Sequence, residues 1–118
     1  MKKNNKDEAP VNLLDLIPER RIEWEKTDAG LVNLLKVKFR HPWLVKHLIP
    51  RLKNPYFRIK LDDIGSSTWK ACDGKRDVRQ VGKILKEEFG EKVEPLYDRL
   101  AFFLQQLEKN RFITFRKK

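Results

Sequence analysis

Apolar and charged residues alternate from Ile22 to Lys26, and alternation returns from Leu31 to Phe39. A period of two is what a half-buried strand requires, and Asp28-Ala29-Gly30 between the two stretches is turn chemistry. Residues 22–39 are therefore predicted to form a β-hairpin, with Leu35, Val37 and Phe39 on one face and Lys36, Lys38 and Arg40 on the other. From 41 to 56 the alternation is broken by Pro42, Pro50 and Pro55. Trp43 to Ile49 leaves room for about two helical turns, and Pro42 suits the first helical position. Phe57-Arg58-Ile59-Lys60-Leu61 alternates again and supplies a third strand. The sheet so built is expected to be apolar on one side and strongly basic on the other.

From Asp62 the period becomes helical. Asp62 or Asp63 can cap a helix running through Ile64, Thr68 and Trp69 to Cys72, with Trp69 in the core. Asp77-Val78-Arg79-Gln80 then has the form of a capping box. It opens a second helix with Val78, Val81, Ile84, Leu85 and Phe89 on one face, which stops at Gly90. A third helix starts near Glu94-Pro95 and aligns Leu96, Tyr97, Leu100, Phe103, Leu104 and Leu107. Phe112 to Phe115 closes the domain as a short strand or packed tail. The expected fold class is α+β, a three-stranded antiparallel sheet followed by a three-helix bundle. Residues 1–19 read as a mobile N-terminal tail and 20–116 as the folded domain, with an insertion at 41–56.

Charge sharpens this picture. The chain of 118 residues has a formal net charge of +10. Lys36 to Lys60 holds eight basic residues and no acid, whereas Asp62 onward holds ten acids against thirteen bases. The excess is thus concentrated on the hairpin side, where it raises the local concentration of an anionic partner. The single cysteine, Cys72, cannot form an internal disulfide, and cysteine poverty suits a reducing compartment. With no apolar run of membrane-spanning length and a charged N-terminal stretch, the chain reads as cytoplasmic. There is no phosphate loop, nucleophile elbow or Cys-x-x-Cys, and His41 and His47 flank a proline at poor metal-ligand spacing. The sequence offers no case for an enzyme, a metal or a cofactor.

Two stretches carry a resemblance. Asp62 to Val78, with its capped helix, Asp-Gly turn and second capped helix, resembles the first-helix and turn signature of PqqD-like proteins. Tyr97 to Ile113 is similar to that family's third helix, with Phe103-Leu104, Leu107 and an apolar exit at Phe112-Ile113. The likeness covers roughly residues 20–115. It departs from the family at Asn110-Arg111, where a glycine often ends the helix, and asparagine there tolerates the left-handed conformation. It departs again in the longer 41–56 insertion.

The resemblance implies a winged helix-turn-helix-like fold. It also implies a peptide-binding protein that recognises the leader of a precursor peptide and presents it to a radical-SAM or other maturation enzyme. The leader would add as a strand beside the third strand, in a groove shared with the third helix. The residues expected to form that site are Phe57, Arg58, Ile59 and Lys60 on the strand and Arg99, Phe102, Phe103 and Gln106 on the helix. Arg58 and Lys60 would attract an acidic leader. The alternative reading is a winged-helix DNA-binding protein, compatible with a pI near 9.9. The helix near 77–89 argues against it, since Asp77, Glu87 and Glu88 dilute its basic face. Trp43, Leu44 and Leu48 in the insertion are candidates to cover the sheet, to form a homodimer contact or to rest on a membrane surface.

Overall fold

The computed structural model describes residues 12–38, 42–47, 51 and 55–118. Strands β2 (Trp24–Lys26), β3 (Val32–Val37) and β4 (Tyr56–Lys60) form an antiparallel sheet in the order β2-β3-β4. A short helix, α1 (Pro42–His47), lies between β3 and β4. Three helices follow, α2 (Asp63–Ala71), α3 (Val78–Phe89) and α4 (Leu96–Lys109). The expected α+β class is found.

Local chemistry accounts for the helix ends. Asp62 accepts from the Gly65 N–H at 2.7 Å and caps α2. The Asp77 carboxylate accepts from the Gln80 N–H while the Gln80 side chain accepts from the Asp77 N–H, so both halves of the capping box are present. Trp69, Val81, Leu85, Leu100 and Leu104 pack against Val32 and Leu34 of the sheet in one core. α3 and α4 approach closely at Gly82, where an added Cβ would lie 2.6 Å from the Tyr97 ring.

The first correction concerns the chain's start. Residues 12–19 are not a tail: a 3-10 turn spans Leu13–Asp15 and a further strand, β1, spans Ile17–Arg20. β1 pairs antiparallel with β5 (Ile113–Arg116) in a second, two-stranded sheet. The cause is burial: Ile17 and Pro18 are buried, and Leu13 and Leu14 pack against the core. Pro18 sits where no ladder donor is required, and its carbonyl accepts from the Gly74 N–H. Residues 1–11 lie outside the described residues.

The second correction concerns the faces of the hairpin. Val32 and Leu34 are fully buried, while Val37 is exposed. The core face of β3 is therefore the even one, not the Leu35-Val37 face, and Phe39 and Arg40 lie outside the described residues. Leu34 stands between Trp24 and Ile59 in register, and these three apolar side chains fix the parity. The outer face then carries Asn33, Leu35 and Val37 opposite Lys60, Arg58 and Tyr56, together with Glu25. It is a mixed surface and not a purely basic one. The third correction is at the end of α4. Asn110 keeps φ −86, and Arg111 takes the left-handed position at φ 65. Of the 41–56 insertion, Pro42–His47 is helical and Tyr56 already belongs to β4.

Candidate functional site

β4 is an edge strand. Its pairing with β3 begins at a bond from the Lys38 N–H to the Pro55 carbonyl and ends at one from the Leu61 N–H to the Val32 carbonyl. Hydrogen bonding alternates along an antiparallel pair. Phe57 and Ile59 therefore turn their backbone groups toward β3, and Tyr56, Arg58 and Lys60 turn theirs toward the opposite side. Among the described residues no strand occupies that side. Side chains alternate in the other sense: Phe57 and Ile59 share the face of Leu34, whereas Arg58 and Lys60 share the outer face.

At the C-terminal end of β4 the edge runs into the helices. A cavity of about 210 Å³ opens there, lined by Asp62, Ile64, Gly65 and Thr68 from the start of α2, by Leu96, Arg99, Leu100 and Phe103 from α4, and by Leu85 and Val93. Gly65 sits where the two walls meet, and a Cβ there would press on the Asp62 carboxylate oxygen at 3.0 Å. A Cβ on it would stand 3.4 Å from the Leu61 Cβ and 3.6 Å from the Phe103 ring, in ordinary contact with both. The cavity is thus apolar, with the Asp62 carboxylate and the Arg99 guanidinium as its charged groups. Both are held: Asp62 by its capping role, and Arg99 by donation to the Lys92 carbonyl at 2.8 Å.

The eight residues expected from sequence divide accordingly. Phe57, Arg58, Ile59 and Lys60 lie on the edge strand, with Phe57 54% exposed. Arg99 and Phe103 line the cavity. Phe102, 66% exposed, and Gln106 are surface residues of α4 outside its lining. Arg58 is already engaged, its guanidinium donating to the Glu25 carboxylate at 2.8 Å. Asn33 donates to the same carboxylate, and these two bonds, Asn33 first, hold Glu25 below the usual carboxylate range. Lys38 sits over the Phe57 ring with its ammonium 5.6 Å from the centroid. Sequence reasoning missed Ile64, Gly65 and Leu96. The signal for Gly65 was a glycine inside an otherwise helical stretch, which calls for a packing reason.

Neither thiol nor helix terminus offers other chemistry. Cys72 is buried, and burial pushes its thiol up to about 12, so it is not a nucleophile. The first turn of α3, which a DNA-reading mode would insert into a groove, is tied to both ends of the described chain, although Arg79 and Gln80 are exposed. The Val78 N–H donates to the Leu16 carbonyl, Arg79 pairs with Asp15 at 2.6 Å, and Lys118 reaches Asp77 at 2.7 Å.

Comparison with known proteins gives one match. Residues 56–113 fit the family described as coenzyme PQQ synthesis protein D (PqqD). That stretch starts at β4 and ends at the first residue of β5, so it contains both walls of the cavity. No curated protein and no solved structure matches the chain.

Proposed function

Since the chain belongs to the PqqD-like family through residues 56–113, we propose that it is a non-catalytic accessory protein that binds a precursor peptide and presents it to a modifying enzyme. The family is described as acting in coenzyme PQQ synthesis. Within that frame the leader of the precursor adds as a strand to β4, and a maturation enzyme such as a radical-SAM protein acts on the bound peptide. The observation that carries this reading is the open edge. Tyr56, Arg58 and Lys60 present backbone donors and acceptors to the solvent side, and an extended peptide satisfies such groups strand to strand. The cavity under Phe103 then takes an apolar side chain of the guest, and Phe57 and Ile59 extend that apolar track. Lys60, on the outer face, is the cation that meets an acidic residue of the peptide, since Arg58 is occupied by Glu25.

The edge can be tested by removing one donor. Lys60→Pro deletes an N–H that the β3 ladder does not use, so the fold survives. Peptides selected from a synthetic array by the native chain are expected to bind Lys60→Pro at least about tenfold more weakly, a loss of roughly 1.4 kcal/mol. Lys60→Ala should retain most of the affinity. Equal binding by native chain and proline variant in calorimetry, with unchanged denaturation midpoints, rules out strand addition. The DNA reading has against it the engagement of the first turn of α3 by Leu16, Asp15 and Lys118, and a flat salt response on random duplex would exclude it.

A further inference from the structure

The chain passes from one sheet to the other between Arg21 and Glu23. The Arg21 N–H donates to the Phe112 carbonyl, beside the β1–β5 ladder, and the Glu23 carbonyl accepts from the Leu35 N–H, where contact with β3 starts. Along β3, Leu34 and Lys36 turn their backbone groups toward β4, so Asn33, Leu35 and Val37 turn theirs toward β2. Asn33 meets Glu25 and Leu35 meets Glu23, but the residue opposite Val37 would be Arg21, which is bonded elsewhere. Among the described residues no strand lies beside Val37 on that side.

A groove of about 400 Å³ opens at this step. Leu35, Val37 and Tyr56 give it an apolar wall, continued by Ile22 and Phe112. Val37 is 36% exposed within it. Arg21, Lys36 and Arg111 border the groove against one acid, Glu23. Arg21 is shared with the Thr114 hydroxyl at 2.9 Å and with Glu19 at 3.6 Å. Lys36 and Arg111 enter no ion pair among the described residues.

These features select the occupant. The backbone groups of Val37 call for another extended backbone, the apolar wall for aliphatic side chains at every second position, and the cations for carboxylates between them. A second copy of the chain is a poor match, because a two-fold contact sets the same three cations against their own kind. Residues 1–11 hold three lysines against two acids, so the chain's own first residues bring no negative excess.

We propose that this step is a second docking site, filled by an extended segment of a partner protein in which acidic and aliphatic residues alternate. The segment takes the place beside Val37 that β2 leaves empty. The edge of β4 is the opposite border of the same sheet, so the two can be filled together and the chain can bridge two polypeptides. The site does not depend on what adds to β4.

The test follows backbone amides of the full chain by NMR during titration with a blocked pentapeptide that alternates aspartate with valine. Saturable shifts centred on Val37, Leu35 and Arg111 are expected at or below about 1 mM peptide. The counterpart with asparagine for aspartate should bind roughly fivefold more weakly, and so should the probe to Lys36→Gln with Arg111→Gln, a modest effect suited to exposed ion pairs. Val37→Pro removes an N–H that the β4 ladder does not use and should reduce binding further. Lys60→Pro and the control pair Lys83→Gln with Lys92→Gln should bind the probe as the native chain does, which separates this groove from the β4 edge. Shifts confined to residues 56–60, equal affinity for the asparagine peptide, or no response overturns the proposal. So does a dimer in sedimentation whose formation moves the same amides, or an oligothymidylate that moves them at lower concentration than the peptide.

Discussion

A single carboxylate, that of Asp77, ties three parts of the chain together. It caps α3, closes a capping box with Gln80 and receives the ammonium of Lys118. The Lys118 bond first, and the Gln80 backbone N–H after it, hold this carboxyl below its usual range despite burial. Its folded value lies under that of the unfolded chain, which is near 4. The ionised group therefore stabilises the fold above that pH, and the contribution is lost as pH falls through the folded value. Asp77→Ala is expected to cost about 1–2 kcal/mol at neutral pH through the lost cap. Asp77→Asn retains a capping oxygen, so its penalty should be smaller and should fade when urea melts are repeated near pH 3. A penalty that is constant with pH would show that the charge is not what matters.

At the scale of elements, the end of α4 makes its own prediction. The Phe112 N–H donates to the Leu107 carbonyl and the Arg111 N–H to that of Glu108, so the helix ends in a reversed turn with Arg111 in the left-handed position. A side chain there is strained, and Arg111→Gly should stabilise the protein by about 1 kcal/mol in denaturant unfolding. A loss of stability would mean that the arginine side chain makes up for its backbone. The sequence did point to this site through Asn110-Arg111, but asparagine's tolerance of the left-handed region drew attention to the wrong residue.

The same contrast runs through the other elements. α2, α3 and α4 were legible because caps and apolar stripes are local, as at Asp62 and Asp77. The faces of β3 were not, because Leu34 and Leu35 are adjacent and either parity gives an apolar row. Only Trp24 and Ile59, across the ladder, decide. Phe57 to Lys60 could be read as a strand, but that Arg58 is held by Glu25 depends on the hairpin register. Phe103 rather than Phe102 faces the cavity for a similar reason. Phe103 lines it opposite Gly65 and Ile64, residues of another helix.

For the whole molecule, the pairing of β1 with β5 is the feature that no local pattern announced, since its partners lie at opposite ends of the chain. Ile17 is buried within it, and Leu13 and Leu14 pack below. A chain beginning at Arg21 should therefore lose at least about 3 kcal/mol of stability, given roughly 1.5–3 kcal/mol for one large aliphatic side chain removed from water. A urea midpoint that hardly moves would restore the view of this stretch as a tail. The pairing has a further consequence. Ile17 stands opposite Arg116, and Asp15 and Lys118 both reach the start of α3, at Arg79 and Asp77, so the two ends of the described backbone meet at one corner of the fold. A unit with such doorways can be spliced into an exposed bend of a carrier protein without prying the carrier open, and the guest would fold there as an independent cassette.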